Sequence, residues 1–303
     1  MKIISWNIRG CNSPLKTRIL KRKINVEQPW ILLLQETKCS GEVLEKIARK
    51  AWPRCKRMAI DASGSAGGLG TLWNPNLVSL YGFHSTCFSM SCFFKIIGTS
   101  QVGFLSNVYG PSQSSCKLEF LDSLHSLKEE EYVIPWILGG DFNIIQSLEE
   151  KKGGLRRMTQ VNELFNQTIE DLSLVDLRSA NSTFTWHNNR TGDRSIACYL
   201  DRFLISEDIM MGGGQLSAVV LPSAGSDHWP ISLDWAIKVE NLCRPFRFEK
   251  FWLLQPGFKD KMRDWWKGIE AERGTCMFKF QQKLKTLKIR IKQWNKDSFG
   301  NIF

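Results

Sequence analysis

Short apolar runs recur along this chain, and several of them end abruptly in a polar or charged residue. Residues 2–6 end at Asn7, and residues 31–34 lead directly into Gln35 and Glu36. Apolar runs of this length are typical of buried strands, which deliver the polar residues at their ends to one rim of a sheet. The pattern therefore predicts buried sheets whose polar strand ends share an edge.

Later runs repeat this arrangement, and helical segments lie between them. The polar residues beside the later runs are Tyr109, Asp141, Asn143, Asp201, Asp227 and His228. Residues 15–24, 118–127 and 164–172 carry apolar side chains at helical spacing. Because strands and helices mix without strict alternation, the sequence favours two packed sheets flanked by helices over a barrel or a doubly wound sheet.

The C-terminal segment differs from the rest in charge and pattern. Residues 241–303 hold 15 Lys and Arg against 6 Asp and Glu, which is +9 of the total net charge of +11. An apolar stripe at helical spacing follows: Phe280, Leu284, Leu287, Ile291 and Trp294. We predict a boundary near 236–243, between a catalytic domain of residues 1–240 and a basic, aromatic-rich helical tail or linker of residues 241–303. Such a charge block is either a polyanion-binding surface or a solvated helix face.

The cysteines and the N-terminal residues indicate the cellular compartment in which the protein is expected. Nine cysteines are scattered without a C-x-x-C pair or the spacing of zinc ligands, which favours free thiols in a reducing environment. The chain enters a strand pattern at residue 2, with no apolar stretch long enough for a signal peptide or a membrane span. An intracellular protein without a membrane partner is expected.

The polar residues at the strand ends match the needs of phosphodiester hydrolysis. This reaction requires a hard cation to polarise the phosphate, an activated water and donors for the developing charge. Taken singly the residues have ordinary explanations: Asp141 suits a turn, Glu36 suits a helix cap, and His228 suits a structural histidine. The hypothesis gains its weight from their shared position and order.

That order resembles a known motif set. Six segments resemble, in sequence order, the motifs of the endonuclease/exonuclease/phosphatase superfamily: residues 5–10, 34–38, 107–111, 139–143, 200–204 and 226–230. The resemblance extends from about Met1 to Trp235. It implies an α/β fold, a four-layer α/β sandwich of two packed mixed β-sheets flanked by helices, to which the helical pattern of the tail adds a C-terminal appendage.

The resemblance also implies the metal site. Glu36 is the implied principal metal ligand with Asn7 beside it, and Asp227 is a second carboxylate on the metal side. The expected ion is Mg²⁺, with Mn²⁺ as a substitute, and no small-molecule cofactor is expected.

Catalytic roles follow from the same motifs. The resemblance implies that Asp141 activates water or handles a proton, and that Asn143 and Tyr109 contact the phosphate. It further implies an Asp201–His228 pair at the scissile phosphate. A carboxylate that holds an imidazole fixes its tautomer and raises its pKa, which favours an imidazolium beside a phosphate.

Three further residues are expected at the substrate. Thr185 and Ser226 are candidates for lining the DNA cleft. DNA-repair relatives usually carry an acidic residue two positions after the first Asn, where this chain has Arg9. The missing acid makes a second metal position doubtful and argues against abasic-site repair. Arg9 is instead a candidate phosphate contact, with a surface arginine as the alternative.

Within the superfamily the chain most resembles the endonucleases of plant LINE-type non-LTR retrotransposons. The segments that carry this likeness are residues 65–69, 152–154 and 183–189. Residues 244–249 and 294–302 resemble the linker that joins such an endonuclease to a reverse transcriptase. We therefore expect a DNA-nicking enzyme that acts in the nucleus, from a truncated or domesticated element whose reverse transcriptase domain is missing.

Two other functions remain open from the sequence. The same superfamily includes inositol-phosphate phosphatases, sphingomyelinases and deadenylases, which share the hydrolytic motifs but not the linker-like tail. A copy of a transposon could also persist as a nucleic-acid-binding relic without activity. A metal-dependent plasmid-nicking assay separates these functions.

Overall fold

The computed structural model describes residues 1–64, 66–128, 134–211, 215–223, 225–236, 248–270 and 276–299. The chain divides into two compact units, Met1–Leu242 and Cys243–Phe303. Several segments used in the sequence analysis lie outside the described residues: Ser65, the boundary at 237–243, residues 244–247 and residues 300–302. Among the described helices, none combines the length and the apolar character needed to cross a bilayer.

Strands and helices follow one another along the described residues. The strands are β1 Lys2–Asn7, β2 Ile31–Gln35, β3 Lys56–Ile60, β4 Leu69–Trp73, β5 Val78–Ser85, β6 Ser89–Ile96, β7 Val102–Tyr109, β8 Trp136–Asp141, β9 Lys151–Lys152, β10 Leu174–Asp176, β11 Trp186–His187, β12 Ala197–Cys198, β13 Asp201–Ser206, β14 Gln215–Val220 and β15 Ile231–Ala236. The α-helices are α1 Pro14–Glu27, α2 Gly41–Ala51, α3 Lys117–Lys128, α4 Gln160–Asp171, α5 Glu207–Met211, α6 Phe258–Lys267 and α7 Cys276–Phe299. Short 3₁₀ turns lie at Ser114–Cys116, Leu148–Glu150, Gly192–Arg194 and Lys250–Leu254.

Two six-stranded mixed sheets form the first unit. Their strand orders are β14-β15-β1-β2-β4-β3 and β10-β13-β8-β7-β6-β5. In each sheet one central pair is parallel, β1 with β2 and β7 with β8, and all other neighbours are antiparallel. A small third sheet has the order β11-β12-β9. Each parallel pair places two strand ends at one edge of its sheet.

Apolar side chains form three core layers, one between the two sheets and one on the outer face of each sheet. One cluster lies between the two sheets and includes Ile31 and Leu33 of β2 together with Leu105 of β7 and Ile137 of β8. A second cluster packs α1 and α2 on the outer face of the first sheet, and a third packs α3 and α4 on the outer face of the second. Strand β2 is buried along its whole length, as expected for a strand covered on both faces. The predicted four-layer α/β sandwich is therefore confirmed.

Local capping explains where the flanking helices begin. Ser13 precedes Pro14 at the start of α1, and its side chain accepts a hydrogen bond from the backbone N–H of Lys16. Thr159 forms a reciprocal capping box with Asn162 at the start of α4. Side chains of this kind satisfy backbone N–H groups that have no partner within the helix. The helices predicted at 15–24, 118–127 and 164–172 correspond to α1, α3 and α4.

A buried polar cluster joins the two sheets near the strand ends. The Gln35 side chain donates to Ser5 Oγ at 3.0 Å within the first sheet and to Asn107 Oδ1 at 2.7 Å in the second. The Asn107 amide in turn donates to the carbonyl oxygen of Gly70 at 3.1 Å. Because unpaired polar groups are costly in a protein interior, this cluster fixes one relative position of the sheets. It also fixes the distance between the residues that follow β2 and those that end β8.

The second unit is helical. Trp252, Phe258 and Ile291 form a small buried cluster, against which Leu287 and Trp294 of α7 pack. The predicted apolar stripe of α7 packs against this cluster only in its C-terminal part. Its two upstream members, Phe280 and Leu284, are exposed on the helix surface.

Candidate active site

The predicted strand-end residues meet at one edge of the two packed sheets. In the parallel pairs, Asn7 lies opposite Gln35 and Tyr109 lies opposite Asp141. Asp201, the first residue of β13, lies opposite Asp141 in the antiparallel pair with β8. Strands β1 and β8 belong to different sheets. The hydrogen bond between the side chains of Asn7 and Asp141 therefore shows that both sheets contribute to one site.

Asn7 connects the carboxylates of the two sheets. Its side-chain nitrogen donates to Glu36 Oε1 at 3.1 Å and to Asp141 Oδ2 at 2.9 Å. Its side-chain oxygen accepts the backbone N–H of Arg9 at 3.2 Å. The Asn7 amide, which is fully buried, therefore positions both acids, and its oxygen is already engaged.

Glu36 directly follows β2 and has a left-handed backbone with φ of 48°. Burial disfavours its charged form, but hydrogen bonds from Asn7, Tyr109 and Lys38 and the charge of Arg9 outweigh this effect and lower the pKa of the carboxyl. The Lys38 Nζ atom lies 3.2 Å from Glu36 Oε2. Burial and the nearby carboxylate keep the pKa of the Tyr109 phenol well above its ordinary value. Glu36 is thus an anion and Tyr109 a neutral donor.

Asp141 ends β8 and is fully buried. Burial raises its pKa to about 6, and the negative charge of Asp201 adds to this while the positive charge of His228 opposes it. The backbone N–H of Asn143, whose φ is 53°, donates to Asp141 Oδ1 at 3.0 Å. The Asn143 amide donates to Gly110 O at 2.8 Å and to Asp141 Oδ2 at 3.2 Å. Asn143 therefore orients Asp141 through two contacts.

His228 lies between two carboxylates. Its Nδ1 is 2.9 Å from Asp201 Oδ2, and its Nε2 is 3.7 Å from Asp141 Oδ2. Burial opposes the charged imidazole, but the charges of Asp201 and Asp141 outweigh burial and raise the pKa of His228 to about 9. The predicted Asp201 and His228 side chains are thus brought together, and the ring is an imidazolium at neutral pH.

Thr185 and Ser226 lie beside the site but bind backbone groups. Thr185 is fully buried, and its hydroxyl accepts the backbone N–H groups of Leu200 and Asp201, each at 3.0 Å. The Ser226 hydroxyl donates to Asn7 O at 2.8 Å and accepts the backbone N–H of His228 at 3.2 Å. Thr185 was expected to line the cleft, whereas the structure places it in the interior, where it positions Asp201.

Asp227 faces the Glu36 side of the site. Its Oδ2 atom accepts hydrogen bonds from Arg9 Nη1 at 2.5 Å and from Trp186 Nε1 at 2.9 Å. Its Oδ1 atom is buried and has no hydrogen-bond partner among the described residues. A buried carboxylate oxygen without a donor is suited to bind a cation or a water.

Several residues that hold this site have no role that the sequence motifs predict. They are Gln35, Lys38, Asn107, Lys117 and Trp186. Lys38 could have been found from its spacing, two residues after Glu36. Trp186 could not, because its contact with Asp227 joins positions that are 41 residues apart.

The donor set fits a hard divalent ion. Mg²⁺ prefers carboxylate and other oxygen ligands, and Glu36 together with the partnerless oxygen of Asp227 supplies them. Asp141, Asp201 and His228 also offer ligand atoms within 4.8 Å of one another. Both groups of residues could therefore hold a metal ion.

Comparisons with known proteins identify relatives of this chain. The exodeoxyribonuclease of Bacillus subtilis (strain 168) is 25% identical over 255 residues, which cover 77% of this chain and 98% of the relative. The structure of a 3′-5′ exonuclease from Neisseria meningitidis matches with a TM-score of 0.63 and 18% identity, over 78% of this chain and all of the other.

An AP endonuclease from Leishmania major matches with a TM-score of 0.62 and 18% identity, over 78% of this chain and 87% of the other. Both structural likenesses show the same fold. The model of the endonuclease/exonuclease/phosphatase family matches residues 4–228, which span the site from Asn7 to His228. The superfamily expected from the ordered motifs is thereby confirmed, and the chain belongs to the endonuclease/exonuclease/phosphatase family.

Proposed function

We propose that this chain is a Mg²⁺-dependent phosphodiesterase that nicks DNA, derived from a LINE-type non-LTR retrotransposon. The observation that carries the hydrolytic part is the meeting of Glu36 and Asp227 with the Asp141–His228–Asp201 row at one sheet edge. Anionic metal ligands on one side and an imidazolium on the other suit a reacting phosphate.

Glu36 and Asp227 hold the divalent ion in this proposal, with Asn7 beside them. These residues would hold Mg²⁺, or Mn²⁺ as a substitute, which when bound would polarise the phosphate and neutralise developing charge. Asn7 keeps Glu36 and Asp141 apart at fixed distances through its two hydrogen bonds. Lys38 keeps Glu36 ionised and oriented before the ion arrives.

Asp141 and His228 handle the proton and the charge of the phosphate. With a pKa of about 6, Asp141 is mostly ionised at neutral pH and accepts a proton from the attacking water. With a pKa of about 9, His228 stays charged and faces the phosphate through Nε2. Asp201 holds the Nδ1 side, so that the ring keeps one orientation.

Neutral and cationic groups complete the phosphate site. Tyr109 is a protonated donor at the edge of the site and is proposed as a phosphate contact. Asn143 is proposed as a second one, which requires its amide to exchange one of its bonds to Gly110 and Asp141. Arg9, with a side chain that is 46% exposed, presents its guanidinium to the same opening.

DNA is the proposed substrate, and the tail the proposed accessory arm. The relative from Bacillus subtilis is named an exodeoxyribonuclease, and residues 241–303 carry +9 of the +11 net charge. We propose residues 1–240 as the catalytic domain and residues 241–303 as a linker or tail that binds duplex DNA. The likeness of the tail to a retrotransposon linker supports nuclear action and a reverse transcriptase as the natural partner domain.

Plasmid nicking tests this proposal directly. Supercoiled plasmid is incubated with the full chain in Mg²⁺, with EDTA and with the Asp141→Asn variant as controls. We expect relaxed circles in Mg²⁺ only, because one strand is cut at an internal position. Release of nucleotides from linear ends without nicking would identify an exonuclease instead. Hydrolysis of inositol phosphates without action on DNA would identify a phosphatase, and DNA binding without hydrolysis would identify an inactive relic.

A further inference from the structure

Arg9 lies between the two carboxylates that are proposed to hold the metal. Its Nη1 atom is 2.5 Å from Asp227 Oδ2, and its Nε atom is 3.7 Å from Glu36 Oε2. The side chains of Glu36 and Asp227 are only 9% and 10% exposed. The Arg9 guanidinium thus lies next to both nearly buried carboxylates, and Lys38 lies beside Glu36 alone.

Backbone contacts hold the main chain of Arg9 beside Asn7 and Glu36. Arg9 has a left-handed φ of 50°, and its N–H is bound by the side chain of Asn7. The next N–H, that of Gly10, donates to the carbonyl oxygen of Glu36 at 2.7 Å. The Arg9 side chain therefore starts close to the site, and its two ion pairs place the guanidinium within it.

The oxygens of the Glu36 and Asp227 carboxylates differ in their hydrogen-bond and ion-pair partners. Glu36 Oε1 binds Asn7, and Glu36 Oε2 faces Arg9 and Lys38. Asp227 Oδ2 accepts from Arg9 and Trp186, and Asp227 Oδ1 has no partner in the part of the chain that the structure describes. The oxygen without a partner can take a cation, whereas a further cation at Glu36 Oε2 or Asp227 Oδ2 would meet the guanidinium.

We infer that Arg9 is a resident cation of this active site, which neutralises Glu36 and Asp227 in place of a second divalent ion, so that the chain binds one such ion. The inference rests on the proposed metal-dependent function. Its physical basis is repulsion, because a fixed positive charge within a few ångströms of a low-dielectric site lowers the affinity for another cation. Arg9 is then a positioning and specificity residue for the metal.

Mn²⁺ titration of the full chain without DNA tests the inference, with free Mn²⁺ measured by electron paramagnetic resonance. We expect one bound Mn²⁺ in the wild type and in Arg9→Lys, which keeps the charge. Arg9→Gln is expected to bind Mn²⁺ about tenfold more tightly, because a partly screened unit charge is removed. Arg9→Asp is expected to bind two. Arg49→Gln serves as the matched control, since Arg49 pairs with Glu45 on α2, and should behave as the wild type.

Circular dichroism spectra and melting temperatures establish that each variant is folded. Two bound Mn²⁺ in the wild type, or the same stoichiometry and affinity in all folded Arg9 variants, would overturn the inference even if the enzyme nicks DNA. If the Arg9 variants differ as expected but no protein nicks plasmid, the inference holds and the proposed function fails. Absence of Mn²⁺ binding in every variant would contradict both.

Discussion

At the scale of single residues, the charge of His228 depends on its carboxylate neighbours. The ring is nearly fully buried, and burial alone would lower its pKa. The charges of Asp201 and Asp141 reverse this effect and raise the pKa to about 9. An opposite charge within hydrogen-bond distance favours the imidazolium by this mechanism.

We therefore predict that Asp201→Asn lowers the pKa of His228. The substitution removes the negative charge that lies 2.9 Å from Nδ1 but keeps the size of the side chain. NMR titration of the ring in metal-free buffer measures the shift. Asp193→Asn is the control, because Asp193 is exposed in the Gly192–Arg194 turn. An unchanged titration in Asp201→Asn would contradict the pairing.

A second prediction at this scale concerns turnover. Glu36→Ala and His228→Ala should each reduce the single-turnover nicking rate in Mg²⁺ by about 10² to 10⁴-fold, the range for loss of a catalytic charge or acid–base group. Glu42→Ala removes an exposed carboxylate at the start of α2 and should leave the rate unchanged. A folded Glu36 or His228 variant with near wild-type rate would refute the assignment of that residue.

At the scale of elements, a buried ionic cluster holds β13 in place behind the site. Arg202 of β13 is fully buried, and its guanidinium lies 2.9 Å from Glu150 and 2.8 Å from Asp176 of β10. Arg178 also contacts Glu150. Because Asp201 directly precedes Arg202, this cluster fixes the start of β13, where Asp201 meets His228.

Removal of one partner from this cluster should be costly. Glu150→Ala removes one of the two carboxylates that pair with the buried charge of Arg202, and we predict a loss of about 3–5 kcal/mol in the free energy of unfolding. Urea unfolding followed by circular dichroism measures the change. The neighbouring Glu149→Ala is the matched control, because Glu149 is exposed and its removal should change stability by less than about 0.5 kcal/mol. Equal stabilities of the two variants would show that the cluster contributes little.

Element boundaries also show what periodicity leaves open. Apolar residues at helical spacing continue from residue 164 to residue 177, but α4 ends at Asp171 and Leu174–Asp176 forms strand β10. Ser173, with φ of 50°, makes the turn between them. A run of three apolar or acidic residues fits a helix as well as a strand, and pairing with β13 decides for the strand.

At the scale of the whole molecule, charge and proposed chemistry belong to different parts of the chain. The candidate site lies within Met1–Leu242, whereas residues 241–303 hold most of the net charge. Each phosphate that is neutralised by Lys or Arg releases counterions. The slope of the logarithm of the binding constant against the logarithm of the salt concentration becomes steeper by about 0.9 for each such phosphate. A DNA-binding tail and a catalytic domain should therefore respond to different measurements.

Deletion of residues 241–303 should weaken duplex binding and flatten its salt dependence. The single-turnover nicking rate at saturating protein should change little. Binding is measured by fluorescence anisotropy over a range of salt concentrations, and replacement of exposed Lys279, Lys285 and Lys292 by Gln in the full chain is the companion variant. An unaltered slope in both would assign the tail a structural role. Loss of the saturated rate would show that the deletion damages the catalytic domain.

The sequence by itself determined the four-layer architecture, the family and the identities of the residues at the strand ends. Buried parallel strands leave a strong local signal, since a continuous apolar run must stop where the strand leaves the core. The polar residues at these strand ends can be identified without any knowledge of their partners. The six ordered motifs indicated the family, because their shared order is specific whereas each residue alone would be ambiguous.

Only the tertiary structure decided what each polar group touches. Asn7, Asp141 and His228 are distant in sequence, and their distances of 2.9 to 3.7 Å depend on how two sheets pack. Packing also placed Thr185 in the interior and set Arg9 between Glu36 and Asp227. The physical reason is that a side chain's burial and charge environment are sums over neighbours from several strands, and these neighbours are assembled only when the sheets close on one another.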